Sequence, residues 1–436
     1  MKAKAGGISG QDRRFLLLQG PHGPFFRALG RMLGAAGAEV WRVGFNRGDE
    51  FFWGLPGYIP FDAPAESWPA AFAAICDEKR ATDLVLYGDT RPIHAQAIEI
   101  ARSRNITVHV FEEGYLRPYW ATYERGATNG GSRLTGLSIR DMRRALSASG
   151  DELPEAPARW GDMRQHVFYG ALYHFMVLAL NRRYRHFSPH RGVTVAHEFR
   201  LHLRRLLLMP LHRIGRMIAT ARVHLGGFPY HLVLLQLEHD ASFQSHSDFA
   251  SMGDFVETCL AGFAEGAPPH HHIVFKAHPL EDERAGIVAL IRNQANRLGL
   301  RDRVHFVRGG KLARLLDGAR SAVTVNSTAG QQVLWRGLPL MALGRAVYCK
   351  PEFVPDQTLA EFFAAPARPD IAAYRDFRRY LLETSQVPGG FYSSRGRRYL
   401  LRQVIDMVLA REDPYDSLSQ GKAARRQQLA AEPREH

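Results

Sequence analysis

Twice along the chain, short apolar runs alternate with helical patterns, and this rhythm limits the fold more than any other feature. In the first third the apolar runs are RFLLLQ (14–19), AEVWRVGF, TDLVLYG (82–88) and ITVHVF (106–111). Helical patterns such as RALGRMLGAAG and PIHAQAIEIARSR separate them. The rhythm returns with HLVLLQLEHD (231–240), HHIVFKAHP (271–279), RVHFVRG, SAVTVNST (321–328) and LPLMALG (338–344), again with helical stretches between. Strands alternating with helices predict βαβ units and parallel sheets. The expected class is α/β, with two Rossmann-type domains and a cleft between them. The expected boundaries are 13–132 for the N-terminal domain, 133–226 for a helical, basic linking segment, and 227–400 for the C-terminal domain. A C-terminal helix and polar tail take 401–436.

The linking segment is rich in Arg, His, Leu and aromatic residues, as in NRRYRHFSPHRG and EFRLHLRRLLLMPLHRIGRM. It suits helices that cover the sheets, and equally a surface for anionic lipid headgroups. The chain carries a formal charge of +14, which favours anionic partners. No nucleic-acid recognition module accompanies that charge. The N-terminus has only a four-residue apolar stretch, too short for a signal-peptide core. The run FYGALYHFMVLAL (168–180) falls short of a bilayer span, so a cytoplasmic, at most peripheral, protein is expected. Cys76, Cys259 and Cys349 are few and far apart, giving neither a disulfide framework nor a metal pattern.

Open α/β sheets bind ligands beyond the C-terminal ends of their strands, and the candidate residues fall there. The turn QGPHGPFF, with Gly20 and His22, follows the first strand; it is not GxGxxG, so no dinucleotide fingerprint is present. FEEGYLRP brings Glu112, Glu113, Gly114 and Arg117 after the ITVHV run. Adjacent carboxylates there suit a general base or a stabiliser of positive charge; a solvated acidic turn has the same composition. FKAHP offers Lys276 and His278, and His278 could give a proton or hydrogen bond to a leaving phosphate. The neighbouring HHH (270–272) cannot all face one ion from a strand. VNSTAGQQ offers Asn326, Ser327 and Thr328 before a helix, which is either an anion site or ordinary capping. LQLEHDASFQSH adds Gln236, Asp240, Ser242 and His246.

Taken in order, FEEGYLRP, LQLEHDASFQSHSDF, FKAHP and VNSTAGQQVLWRGLP resemble the capsular polysaccharide synthesis family, whose members are Kdo transferases of the KpsS/LipB and KpsC types. The opening stretch resembles the KpsS type. The likeness covers most of residues 14–400, leaving out the helical middle. It implies a two-domain GT-B fold and a CMP-activated eight-carbon acidic sugar, Kdo, as donor, transferred with retention to a lyso-phosphatidylglycerol-type lipid at the inner face of the cytoplasmic membrane. Matched by motif, Glu113 is the acidic residue before the glycine, His278 the histidine of His-Pro, and Ser327 and Thr328 the turn that holds the donor phosphate. Many relatives have Glu-Asp where this chain has Glu112–Glu113. A nucleoside monophosphate leaves no diphosphate to chelate, so neither metal nor cofactor is expected. Other capsule components are possible partners; nucleic acid is not expected. The rival readings are a non-catalytic export or assembly factor that binds the glycolipid, and a transferase using a UDP-sugar.

Overall fold

The computed structural model describes residues 9–147, 163–187, 218–238, 240–278, 286–308 and 311–421. Two compact units emerge. Unit 1 comprises residues 1–128, 140–197 and 378–436; unit 2 comprises 129–139 and 198–377.

The sheet of unit 1 has seven strands: β1 (Arg14–Leu17), β2 (Glu39–Gly44), β3 (Tyr58–Pro60), β4 (Asp83–Tyr87), β5 (Thr107–Glu113), β6 (Trp120–Arg125) and β12 (Gln386–Pro388). Their order is β12-β6-β5-β4-β1-β2-β3. β3, β2, β1, β4 and β5 run parallel, and β6 and β12 are antiparallel additions. The parallel part, 3-2-1-4-5, is the doubly wound order, and its direction reverses between β1 and β4. Fully apolar strand cores such as Phe15–Leu17 and Leu84–Leu86 are buried because helices cover both faces. On one face lie α1 (Phe25–Ala35) and the helix Ser394–Leu409, sharing a core of Phe25, Phe26, Leu29, Phe111, Leu400 and Val404. On the other lie α3 (Trp68–Lys79) and α4 (Pro92–Ser103), whose Trp68, Phe72, Ala97 and Ile98 pack on Leu84 and Val110. Pro92 starts α4 at a position where a missing N–H costs nothing.

Three further helices complete the described part of unit 1's middle: α2 (Arg47–Trp53), α5 (Ile139–Leu146) and α6 (Met163–Ala179). α6 packs against α2.

Unit 2 has five parallel strands: β7 (Tyr230–Leu234), β8 (His272–Lys276), β9 (Val304–Val307), β10 (Ala319–Thr324) and β11 (Leu340–Ala342). Their order, β11-β10-β7-β8-β9, repeats the order of unit 1, with the reversal between β7 and β10. The helix Met252–Gly266 begins in a capping box, in which Ser251 Oγ accepts from the Asp254 amide at 3.1 Å and Asp254 accepts from the Ser251 amide at 2.9 Å. Its Gly266 lies so close to the Ala360 backbone that no Cβ would fit.

The expected strands are present, and the structure differs from expectation in two strand ends and in the domain boundaries. β5 runs two residues further and takes in Glu112 and Glu113, because β6 pairs Thr122 with Glu112 and Ala121 with Glu113. β10 ends at Thr324, so residues 325–328 form a loop. The expected 227–400 domain loses its last part to unit 1, since β12 extends the sheet through β6 and the helix Ser394–Leu409 packs on α1. Nor is 133–226 one separate segment: α6 packs in unit 1. Residues 188–217 and 422–436, which hold the basic helical stretch and most of the polar tail, lie outside the described residues.

The three adjacent histidines fall at the amino-terminal edge of the unit 2 sheet, away from the strand ends that carry the candidate residues. His231 Nδ1 is 2.8 Å from Ser321 Oγ, and its Nε2 is 3.0 Å from His271 Nδ1. His272 is 2.9 Å from His305, both stacked on Phe228. Burial depresses all four, His231 to about 3 and His305 to about 4. Arg303 and Arg320 push the same way on His231 and His271. The unfolded chain therefore binds more protons than the folded one below about pH 6.5, and stability falls as pH drops from there towards the folded values. At pH 5 the fully buried His231 alone costs about 2 kcal/mol relative to neutral pH. Urea midpoints should fall on going from pH 7.5 to pH 5, and less steeply in His231→Gln; an equal slope in the variant would assign the acid lability elsewhere.

Candidate functional site

In unit 1 the ligand crevice of a doubly wound sheet belongs where β1 and β4 diverge. The chain leaves β1 through Gln19–Gly23 and β4 through Gly88–Arg91. A Cβ on Gly20 would sit 2.6 Å from the Phe26 ring, so that glycine lets α1 close on the turn. Gln19 bridges the two strand ends, accepting from Arg91 Nη1 at 3.3 Å and donating to Asp49 at 3.1 Å. Asp49, buried on α2, also accepts from Arg42, the Phe45 amide and Asn46, each at 3.1 Å. Asn46 donates to the Tyr173 hydroxyl at 2.6 Å, and the Tyr173 ring stacks on His22 with centroids 4.3 Å apart. α6 thus seats its Tyr173 on the strand ends, while its Tyr169 lines Gly23.

The two glutamates end β5, beside β4. Successive side chains on a strand face opposite ways, and the pair divides accordingly. Glu113 accepts from the Tyr87 hydroxyl at 3.1 Å. Tyr87 shares a hydrogen bond with Tyr392, whose ring is 4.0 Å from that of His166 on α6. The Glu113 charge acts on both Tyr392 and His166. Glu112 lies against Gly88: a Cβ there would be 3.1 Å from its Oε2. Its Oε1 accepts from the Glu113 amide at 3.0 Å. Desolvation raises Glu112 to about 7; the Glu113 amide opposes this, the Glu113 and Asp89 charges add to it, and Arg117 offsets a part. Asp89 is buried and accepts from the Thr128 amide at 2.7 Å. Two adjacent carboxylates in unlike surroundings can divide proton transfer and charge stabilisation between them.

The other unit 1 candidates are placed as follows. Gly114 closes the turn between β5 and β6, too near Trp120 for any Cβ, with its amide on the Trp120 carbonyl at 3.0 Å. Arg117 is exposed and reaches the Gly114 carbonyl at 3.3 Å. Tyr87, Asp89, Arg91, His166 and Tyr392 were not among the expected residues. The stretch YGDTRP, which closes the TDLVLYG run and leads out of it, signals three of them by its position. His166 and Tyr392 come from distant parts of the chain and leave no local signal.

In unit 2 the strands diverge between β7 and β10. Gln236 and Asn326, both buried, clasp across that point: Gln236 Nε2 donates to Asn326 Oδ1 at 2.8 Å, and the Asn326 amide donates to Gln236 Oε1 at 3.0 Å. Asn326 also donates to the His246 carbonyl at 3.1 Å. Ser327 Oγ accepts from the Ala329 amide at 3.2 Å, and its carbonyl accepts from Tyr348 at 2.7 Å. The Thr328 carbonyl accepts from the Gln331 amide at 3.2 Å. Lys276 ends β8, buried, with its pKa lowered by desolvation. His278 is half-buried two residues on, and Pro279 lies outside the described residues. Asp240 is exposed. The structure brings Gln236 and Asn326 together as a brace and Ser327 into its turn. Among the described residues no group of three or more His, Cys, Asp or Glu could hold a metal ion.

The model of a family described as "Capsule polysaccharide biosynthesis protein" matches residues 82–392. The chain is 30% identical over 385 residues to the capsule polysaccharide modification protein LipB of Neisseria meningitidis serogroup B, covering 87% of this chain and 91% of that protein. It is 27% identical to the capsule polysaccharide export protein KpsS of Escherichia coli, over 87% and 97% of the two chains. Among solved structures it resembles a β-Kdo 2,7 transferase, KpsC of Thermosulfurimonas dismutans, at 13% identity and a TM-score of 0.44, covering 91% and 99% of the chains.

Proposed function

The chain belongs to the capsule polysaccharide biosynthesis family, and we propose that it is a glycosyltransferase that moves Kdo from CMP-Kdo to a lyso-phosphatidylglycerol-type lipid. The product would start the glycolipid anchor of a capsular or related surface polysaccharide. The observation that carries this reading is the pair at the end of β5. Glu112 is raised to about 7 beside Glu113, which accepts from Tyr87.

In the proposed step the bond between the anomeric carbon and the CMP phosphate oxygen breaks, and CMP leaves with the electron pair. Positive charge develops on the sugar, and Glu113 stabilises it. The acceptor hydroxyl attacks, and its proton passes to Glu112, whose pKa suits a general base near neutrality. Retention of configuration, implied by the family resemblance, requires the hydroxyl to arrive from the face that CMP leaves or to follow an intermediate. His278 and Lys276 neutralise the departing phosphate, with the Ser327 and Thr328 turn as hydrogen-bonding support. Gln236 and Asn326 act as positioning residues that brace that turn. On the acceptor side His22 and Arg117 meet polar or anionic groups, with Gly20 and Gly114 contributing at tight turns where Phe26 and Trp120 leave no room for a Cβ; Asp240 contributes on the donor side.

Among the described residues no helix is long and apolar enough to cross a membrane. The proposed location is peripheral, at the inner face of the cytoplasmic membrane, alongside other capsule components. The test is incubation of the purified protein with CMP-Kdo and a fluorescent lyso-phosphatidylglycerol, read as mass addition of one Kdo. Product from wild type and none from His278→Ala supports the reading. The name of the E. coli relative, an export protein, favours one second reading, a non-catalytic glycolipid-binding factor. Folded protein that binds the glycolipid but never forms product would establish that second reading.

A further inference from the structure

We propose that the outward face of α6 docks on an anionic lipid bilayer. The proposal deepens the transferase reading by naming the surface that meets the lipid side, and rests on that reading for the class of acceptor.

α6 is apolar on two opposite sides. Its inner side is used: Tyr169 packs at Gly23, Tyr173 stacks on His22, and Val177 is buried. A helix with one covered side normally turns polar residues outward. α6 instead exposes Val167 (61%), Phe168 (60%), Phe175 (56%) and Leu178 (40%), followed by Leu180 (48%) just past its end. Phe168, Phe175 and Leu178 are seven and three residues apart, which puts them in one stripe. Phe51, on the helix that α6 packs against, is exposed as well.

The charge around this stripe selects its occupant. Residues 163–187 contain four arginines, Arg164, Arg182, Arg183 and Arg185, and no aspartate or glutamate. All four are exposed, and one of them, Arg183, is paired with Glu50 of α2 at 3.4 Å, which leaves Arg164, Arg182 and Arg185 to supply the cationic charge. They lie before the first exposed apolar residue and after the last. A stripe of aromatic and aliphatic side chains with cations at both ends fits a helix lying in the plane of an anionic membrane surface. At 17 residues α6 is about 25 Å long, too short to cross a bilayer. Its inner side seats on the turn after β1, so the helix that would touch the membrane also touches the candidate crevice of unit 1.

The test is flotation of the full chain with vesicles of phosphatidylglycerol in phosphatidylcholine, and with phosphatidylcholine alone, at low and high salt. Wild type should float with the anionic vesicles and lose binding as salt rises. Phe168→Ser/Phe175→Ser should lower the partition coefficient at least about tenfold, with an unchanged thermal midpoint, since both side chains are already exposed. Transfer to a water-soluble, short-chain acceptor should be unaffected by the double substitution. Three results would overturn the proposal. They are a wild type that does not float, a double variant that floats like wild type, and a substitution that changes only the monomer–dimer balance in light scattering. Flotation without transfer to any acceptor would defeat the transferase reading and leave the docking surface standing.

Discussion

Replacing Glu113 by glutamine should lower kcat for Kdo transfer about 10²–10⁴-fold, with little change in the unfolding midpoint. The side-chain oxygen of glutamine still accepts from Tyr87, so the network to Tyr392 keeps its geometry while the negative charge is gone. Glu112→Gln probes the other half of the pair. In the wild type, activity should rise through about pH 7 as Glu112 loses its proton, and that limb should vanish in Glu112→Gln. The check is a pH profile of kcat/KM for both variants. If Glu113→Gln retains activity within threefold of wild type and the limb survives in Glu112→Gln, neither carboxylate takes part in the chemistry.

The second large effect concerns folding. Arg42 and Asp49 are 3.1 Å apart and almost wholly buried, at 3% and 2% exposure. Arg42→Ala removes the cation and leaves the carboxylate in a dry site. Three donors remain on Asp49, from Gln19, Phe45 and Asn46, but none carries charge. Breaking a buried pair from one side costs about 3–5 kcal/mol, a large part of the stability of a domain. Urea unfolding should show that loss, and Arg42→Met, which keeps the packing on Phe26, should not recover most of it. Because Gln19 links Asp49 to Arg91, the folded fraction of Arg42→Ala should also have a raised KM.

Which parts of this were legible in the chain follows from range. The parallel strands other than β3 were legible because each is a local apolar run and the helical patterns between them have their own period; β3 is only Tyr-Ile-Pro and takes its strand character from pairing with β2. β6 was not: WATYER sits behind a turn containing Pro118, and its pairing with β5 uses Glu112 and Glu113, beyond the apolar run that marks that strand. β12 is only Gln-Val-Pro, and its strand character comes from pairing with residues more than 260 positions earlier. The same holds at the site. FEEG and QGPHG stand directly after runs that announce strands, whereas His166 and Tyr392 meet Glu113 through the fold alone. Gln236 and Asn326 were legible by position, each just beyond a strand, whereas the clasp between their two loops, 90 residues apart, is a feature of the fold. No local pattern encodes that clasp.

The late return of the chain to unit 1 sets the order in which the protein can be made. Residues 129–139 and 198–377 form unit 2, so that unit can close before synthesis ends. The sheet of unit 1 must wait for β12 and the helix Ser394–Leu409. At ordinary elongation rates this interval lasts on the order of tens of seconds. Throughout it, β6 is an unpaired edge and the α1 side of the sheet lacks its second helix. The nascent amino-terminal half is therefore the part of this protein with the greatest need of a chaperone. A ribosome that stalls after residue 377 would release a finished second unit attached to an unfinished first one.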